Sequence, residues 1–242
     1  MLDETFQTPL YIDLIAVGIG SFQGAMFAAG FKRLDLLGVA LIGIMTGFGG
    51  GLLRDLLLGI TPVVFTNNYF LLVATGSALL GMLLQRIQSR VDPIITLFDA
   101  ITIGLFGAIG TTKALSFGLP VVPALFIGTV SAVGGGVLRD MMLNIPIALM
   151  HVGSLYAVAS LVGSGVLVGL LALRVDVLIA AGVCVVVTAV IRLLAIRFGW
   201  SLPEQRALSR LRRRKAREAE ATIEAIQTRA INIVPPEDLP SA

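Results

Sequence analysis

Thiol, imidazole and charge are all scarce in this chain of 242 residues, which has one cysteine, one histidine and only 14% Asp, Glu, Lys and Arg. A single thiol, Cys184, excludes an internal disulfide, and the lone imidazole of His151 excludes a metal site built from several such ligands. No cofactor is expected. Enzymatic chemistry has no footing either, since no nucleophile-base pair, metal-ligand cluster or Gly-Lys-Ser/Thr phosphate loop is present. Asp3 and Glu4 precede the first apolar run with no Lys or Arg. The basic region of a secretory signal is therefore missing, and that run is expected to remain as a permanent helix. Cys184, inside the apolar run from Val183 to Val187, is expected to serve packing, and His151, after the turn at Pro146, to sit at an interface.

What the chain has in abundance is apolar surface, at 56% hydrophobic residues and a mean hydropathy of +0.93. That composition belongs to an integral membrane protein. A hydrocarbon core of about 30 Å takes about 20 apolar residues per helix. Seven runs satisfy this, near residues 10–30, 36–58, 69–87, 94–115, 121–143, 152–173 and 176–197. The 27 glycines fall mostly within them and favour close helix approach.

Two of the runs carry the same motif. Gly49-Gly50-Gly51-Leu52-Leu53-Arg54-Asp55-Leu56-Leu57-Leu58 returns 85 residues later as Gly134-Gly135-Gly136-Val137-Leu138-Arg139-Asp140-Met141-Met142-Leu143, identical at seven of ten positions. Asp13, Gly18 and Gly24 match Asp99, Gly104 and Gly110 at a spacing of 86, and Tyr69 and Gly76 match Tyr156 and Gly163 at 87. The repeating unit is thus three spans long. Three is odd, so the second unit enters the membrane from the opposite side, and the fold expected is all-α and polytopic: two inverted three-helix repeats plus a seventh helix. The parts expected are an extracytoplasmic N-terminus (1–9), repeat one (10–91), repeat two (92–174), a seventh span (175–198) and a cytoplasmic basic tail (199–242).

Triple glycine lowers helix propensity by about 1 kcal/mol per residue against alanine and strips the backbone of cover. A break at Gly49-Gly50-Gly51 would divide its run into halves of about 20 and 13 Å at 1.5 Å per residue, neither spanning alone. Carbonyls freed at such a break, repeated at Gly134-Gly135-Gly136, would suit a dehydrating alkali ion held transiently in a pore between the two, with no tight metal site. The alternative is that the glycines only let two helices cross closely. A buried charge costs about 2.5–3.5 kcal/mol on insertion scales, so the duplicated Arg-Asp pairs are expected to serve function. Neighbours on a helix point about 100° apart, which predicts pairing across the repeats, Arg54 with Asp140 and Arg139 with Asp55.

Asp13 and Asp99 open matching spans and are expected to cap them. Lys113 is expected either to snorkel to the interface or to face a pore and sense voltage. Ser21, Gln23, Thr46, Thr111 and Thr112 are candidates for lining a water path.

Lys32, Arg33, Arg86, Arg90 and the eight Lys/Arg after Ser201 would all share one side of a seven-span protein, with Lys113 and Arg174 opposite. The positive-inside rule then puts the N-terminus outside and the C-terminus in the cytoplasm. Ser201-Leu202-Pro203-Glu204 has capping-box spacing and opens a polar helical stretch to about Ile231. Seven Lys/Arg between Arg206 and Arg217 would attract anionic lipids or simply be solvated, and nucleic acid is not an expected partner.

Two copies of Gly-Gly-Gly-x-Leu-Arg-Asp in the second and fifth of seven spans resemble the prokaryotic branch of the trimeric intracellular cation (TRIC) channel family, over roughly residues 10–197. The resemblance implies a homotrimer in the cell membrane, each protomer holding a potassium-permeable pore constricted at the glycine-rich spans. The residues carried over are the two glycine triplets, Arg54, Asp55, Arg139 and Asp140. Lys113 resembles by position a lysine linked to voltage dependence in animal members. The same domain is also described in bacteria as a glycine transporter, so a carrier for a small amino acid is the alternative to a channel. A membrane scaffold presenting the basic tail is a third.

Overall fold

Each of the seven apolar runs becomes a helix, because backbone polar groups in a continuous apolar stretch are satisfied most completely within their own segment. The computed structural model describes residues 9–31, 34–87, 92–150 and 155–200. Its long helices are α1 (Leu10–Ala29), α2 (Leu36–Leu57), α4 (Asn68–Ile87), α5 (Asp92–Ser116), α6 (Val121–Met142), α7 (Tyr156–Ala172) and α8 (Val177–Phe198). A four-residue helix, α3 (Val63–Thr66), and a 3-10 turn (Ala148–Met150) lie in the connections. Six of the long helices are long and apolar enough to cross a membrane, and α7, with 17 residues, is shorter. The all-helical membrane class expected from hydropathy is the one observed.

Sequence explains where helices start and stop. Asp35 caps α2 by accepting from the Gly38 N–H at 2.7 Å, and Asp176 caps α8 by accepting from Leu178 and Ile179. Gly199, at φ 63°, ends α8 in the left-handed conformation that suits glycine.

The helices fall into two groups, joined where α2 crosses α6 and where α1 meets α5. α1 packs on α2 and α4, α5 packs on α6 and α8, α7 lies against α8 and α6, and α2 meets α6 between them. At that crossing Gly50 faces Ser131 and Gly135 faces Thr46, while Gly49 faces Leu138 and Leu53 faces Gly134, so the two helices run antiparallel.

The expected helix breaks are absent. α2 and α6 continue through their glycine triplets, so no row of carbonyls is freed there. A Cβ on Gly50 would stand on the Ser131 carbonyl oxygen, one on Gly135 on the Thr46 carbonyl oxygen, and one on Gly49 2.6 Å from Leu138 Cδ1. The first two glycines of each triplet therefore serve close crossing, and the path once expected between the triplets is closed by backbone.

Candidate functional site

The Arg-Asp pairs lie in the last turns of α2 and α6 rather than at mid-helix, where an arginine complements the carbonyl end of the helix dipole. Arg54 is 3% exposed and Asp55 1%. Arg54 Nε donates to Asp55 Oδ1 at 2.8 Å, and the Val63 N–H, in the connection that follows, donates to Asp55 Oδ2 at 3.0 Å. The copy is faithful: Arg139 Nε donates to Asp140 Oδ1 at 3.0 Å and the Ala148 N–H to Asp140 Oδ2 at 2.8 Å. A left-handed residue after each helix, Gly59 at φ 70° and Asn144 at φ 51°, turns the chain back so that these amides arrive. Each aspartate thus ties a helix end to the segment that follows it.

This corrects the expected pairing across the repeats. Arg54 and Asp140 each lie about five residues beyond the crossing, in opposite directions along antiparallel helices, which separates them by about 15 Å at 1.5 Å per residue. Neighbours pair despite the 100° between them because the long arginine side chain folds back over its own turn. The third glycine of each triplet leaves room for it: Arg54 Nη2 is 3.8 Å from a Cβ placed on Gly51, and Arg139 Nη2 is 3.9 Å from one on Gly136.

Around the first pair gathers a cluster from three helices. Lys113 Nζ on α5 donates to Asp55 Oδ1 at 2.8 Å, and Arg54 Nη1 lies 3.9 Å from Asp13 Oδ1 on α1. Lys113, in the last turn of α5, is thus held by a carboxylate of α2. Two cations and two carboxylates balance, as burial requires. Arg54 Nη1 and Asp13 Oδ1 are nonetheless buried without a hydrogen-bond partner among the described residues. Both residues line a cavity of about 20 Å³ with Gly51, Asp55, Phe48, Phe70 and Phe106. At about 10–15 Å³ for one water, that is room for one or two.

The second cluster is built from the matching positions and closed differently. Asp99 on α5 accepts from Tyr156 Oη at 2.6 Å and from Gln23 Nε2 at 3.3 Å, with Arg139 Nη1 at 3.8 Å and Arg192 Nη2 of α8 at 3.9 Å. The Arg192 guanidinium lies 3.6 Å over the Tyr156 ring, and that of Arg139 lies 4.2 Å over the Phe27 ring. Phe27 stands 86 residues before Lys113, so a stacked ring occupies the position that a lysine takes in the first cluster.

Asp13 lies in the first turn of α1, where a carboxylate complements the helix dipole, but it makes no cap bond, and Asp99 is not at its helix start. α1 has Pro9 at its N-cap with no side-chain bond there, and Asp99 lies two turns into α5. Two of the candidate pore-lining hydroxyls bond within their own helices. Thr46 Oγ1 donates to the Ile42 carbonyl at 2.6 Å and Thr112 Oγ1 to that of Ala108 at 2.9 Å. Ser21 and Thr111 are buried where α1 meets α2 and α5 meets α6, against Gly47 and Gly128. None of these four lines the cavity, and Gln23 belongs to the second cluster. Cys184 is fully buried in the contact among α5, α7 and α8. His151 and the basic tail, including Arg206 to Arg217, lie outside the described residues.

Sequence reasoning overlooked Arg192 and the bonding role of Tyr156. The signal was available: Arg192 is a cation in the body of an otherwise apolar span, with only Arg197 after it in that helix.

An all-helical membrane protein with a duplicated, charge-balanced cluster at the two ends of one antiparallel helix crossing is the class this architecture defines. The Glycine transporter family model matches the chain twice, over residues 10–86 and 96–172. The chain belongs to that family, the one that includes the TRIC channels and the UPF0126 membrane proteins. It is 31% identical to the UPF0126 inner membrane protein YadS of Escherichia coli K12, over 80% of this chain and 94% of the relative. A UPF0126 membrane protein of Deinococcus radiodurans is 36% identical over 64% of this chain and 73% of its own. Among solved structures, the TRIC trimeric intracellular cation channel orthologue of Rhodobacter sphaeroides superposes with a TM-score of 0.73 at 28% identity, covering 79% of this chain and 98% of that one. A second TRIC cation channel gives a TM-score of 0.70 at 32% identity, over 81% and 96%.

Proposed function

We propose that this protein is a monovalent cation channel, permeable to potassium, whose path within each protomer passes the cavity beside Gly51. The observation that carries the reading is Asp13 Oδ1, a buried carboxylate oxygen with no hydrogen-bond donor, turned into a cavity that Arg54 and Asp55 also line. Such an oxygen can replace a hydration-shell water of an alkali ion. Likeness to solved cation channels of the TRIC type supports the same class. Seven spans arranged as two inverted repeats plus α8 accommodate the antiparallel α2–α6 crossing, which forms the closed wall of the path. The assembly proposed is a homotrimer in the inner membrane with the C-terminus in the cytoplasm. Planar-bilayer recording of the purified protein is expected to show unitary potassium currents that Asp13→Asn diminishes. Silence at every voltage would remove the channel.

A carrier for glycine or a similarly small amino acid is the second reading, favoured by one specific observation. Arg54 Nη1 and Asp13 Oδ1 are 3.9 Å apart and both lack a hydrogen bond, the pairing that would meet the carboxylate and ammonium of one small zwitterion once the cavity, sized here for one or two waters, widened. Saturable glycine uptake into proteoliposomes, without unitary currents, would select it.

A further inference from the structure

The two charge clusters come from matching positions yet differ in one respect that bears on transport. In the first, Asp13 keeps an oxygen without a donor and the cavity beside it is open to a small guest. In the second, the corresponding Asp99 is engaged by Gln23, Tyr156, Arg139 and Arg192. The substitutions that make this difference can be read position by position. Gln23 has Ile109 as its match 86 residues on, which cannot donate to Asp13. Tyr156 has Tyr69 as its match 87 residues earlier, and that ring is 63% exposed on α4 rather than turned inward. Arg192 has no match, because α8 lies outside the repeat.

We propose that Arg192 seals the second of two matching polar sites, so that a monovalent cation or solute has access to Asp13 and none to Asp99. It does so from two directions at once. Its guanidinium faces the Asp99 carboxylate at 3.9 Å and lies flat on the Tyr156 ring at 3.6 Å, which holds the tyrosine hydroxyl on the same carboxylate. The additional helix thus converts a pseudo-symmetric pair of sites into one open and one closed. The inference rests on the proposed path past Gly51 for its functional meaning, but the seal at Asp99 is testable apart from it.

Silver ion is the probe, since it is a small monovalent cation that reacts with thiols. The full chain with Cys184→Ala would carry one new cysteine, as Gly51→Cys or Gly136→Cys, two positions where a Cβ meets nothing closer than 3.8 Å. With Arg192 present, position 51 is expected to react at least about tenfold faster than position 136, a difference of about 1.4 kcal/mol in access. Adding Arg192→Leu is expected to bring position 136 up to the rate of position 51, and Arg192→Lys to restore only part of the protection, because an ammonium does not lie flat on the ring. Should Arg192→Leu fail to fold, Gln23→Ile with Tyr156→Phe removes the other two bonds to Asp99 and is expected to speed position 136 in the same way. With Arg192 in place, reaction at position 136 as fast as a rapidly reacting position 51, or no acceleration at 136 in whichever of these variants folds, would overturn the seal. Slow reaction at position 51 alone would instead count against the path past Gly51, leaving the seal to be judged at 136.

Discussion

Lys113 Nζ and Asp55 Oδ1 stand 2.8 Å apart, an ion pair that fastens α5 to the last turn of α2. Among the described residues, Lys113 is thereby the one cation that repeat two adds to the Asp13, Arg54 and Asp55 of repeat one, and it sits 19% exposed at the edge of that cluster. Its loss would leave two carboxylates facing one arginine. Lys113→Met is expected to lower the melting temperature in detergent and to flatten the voltage dependence of the current, while Lys113→Arg keeps both near those of the parent. Identical current-voltage curves for all three proteins would take Lys113 out of gating.

The identity of the arginine partners can be measured by double-mutant cycles. Arg54→Met with Asp55→Asn should show a coupling of about 0.5–3 kcal/mol, as residues in contact do, whereas Arg54→Met with Asp140→Asn should be additive within about 0.5 kcal/mol. The converse pattern would restore the pairing across the repeats and contradict the observed geometry. Each single change is expected to be costly, at about 3–5 kcal/mol, because it leaves a buried charge without its partner.

Within a glycine triplet the three positions are not interchangeable. Gly50→Ala and Gly135→Ala would drive a methyl group onto a carbonyl oxygen of the facing helix, and a loss of about 1–3 kcal/mol or more is expected. Gly51→Ala and Gly136→Ala meet only ordinary contacts and should be near neutral for stability. Thermal unfolding of the four variants checks this. A uniform gain across all four would mean that helix propensity, in which alanine exceeds glycine, and not the crossing, governs the motif.

Both charge clusters and the cavity are made by residues before Ser201. Removal of residues 201–242 is therefore expected to leave potassium flux into proteoliposomes unchanged. Flux abolished in a truncated protein that still folds would give the tail a part in transport, and flux retained would confine it to assembly, lipid contact or trafficking.

Much of the fold was legible because it depends on local pattern. The seven apolar runs foretold the seven long helices to within a few residues at their ends, α7 excepted, where the preceding residues 151–154 lie outside the description. The duplicated Gly-Gly-Gly-x-Leu-Arg-Asp pointed to the right residues. It misled about what they do: three glycines in a row suggested a break, yet the neighbouring helix supplies the packing that offsets their low propensity, and α2 and α6 run through unbroken. Lys113 was open between two roles because a sequence gives no distance between the fourth span and the end of the second.

Hydropathy, the 85-to-87-residue repeat and the presence of Arg54, Asp55, Arg139 and Asp140 inside apolar spans are properties of the chain alone, and they determined an all-helical membrane protein with two related charged sites. Only the tertiary structure decided which charges meet. Partner choice follows from the antiparallel crossing of α2 and α6, which sends the two Arg-Asp pairs to opposite ends, and from the unrepeated α8, which brings Arg192 to one of them. Electrostatic pairing falls off over a few ångströms, so it is set by where helices cross and not by where residues stand in the sequence.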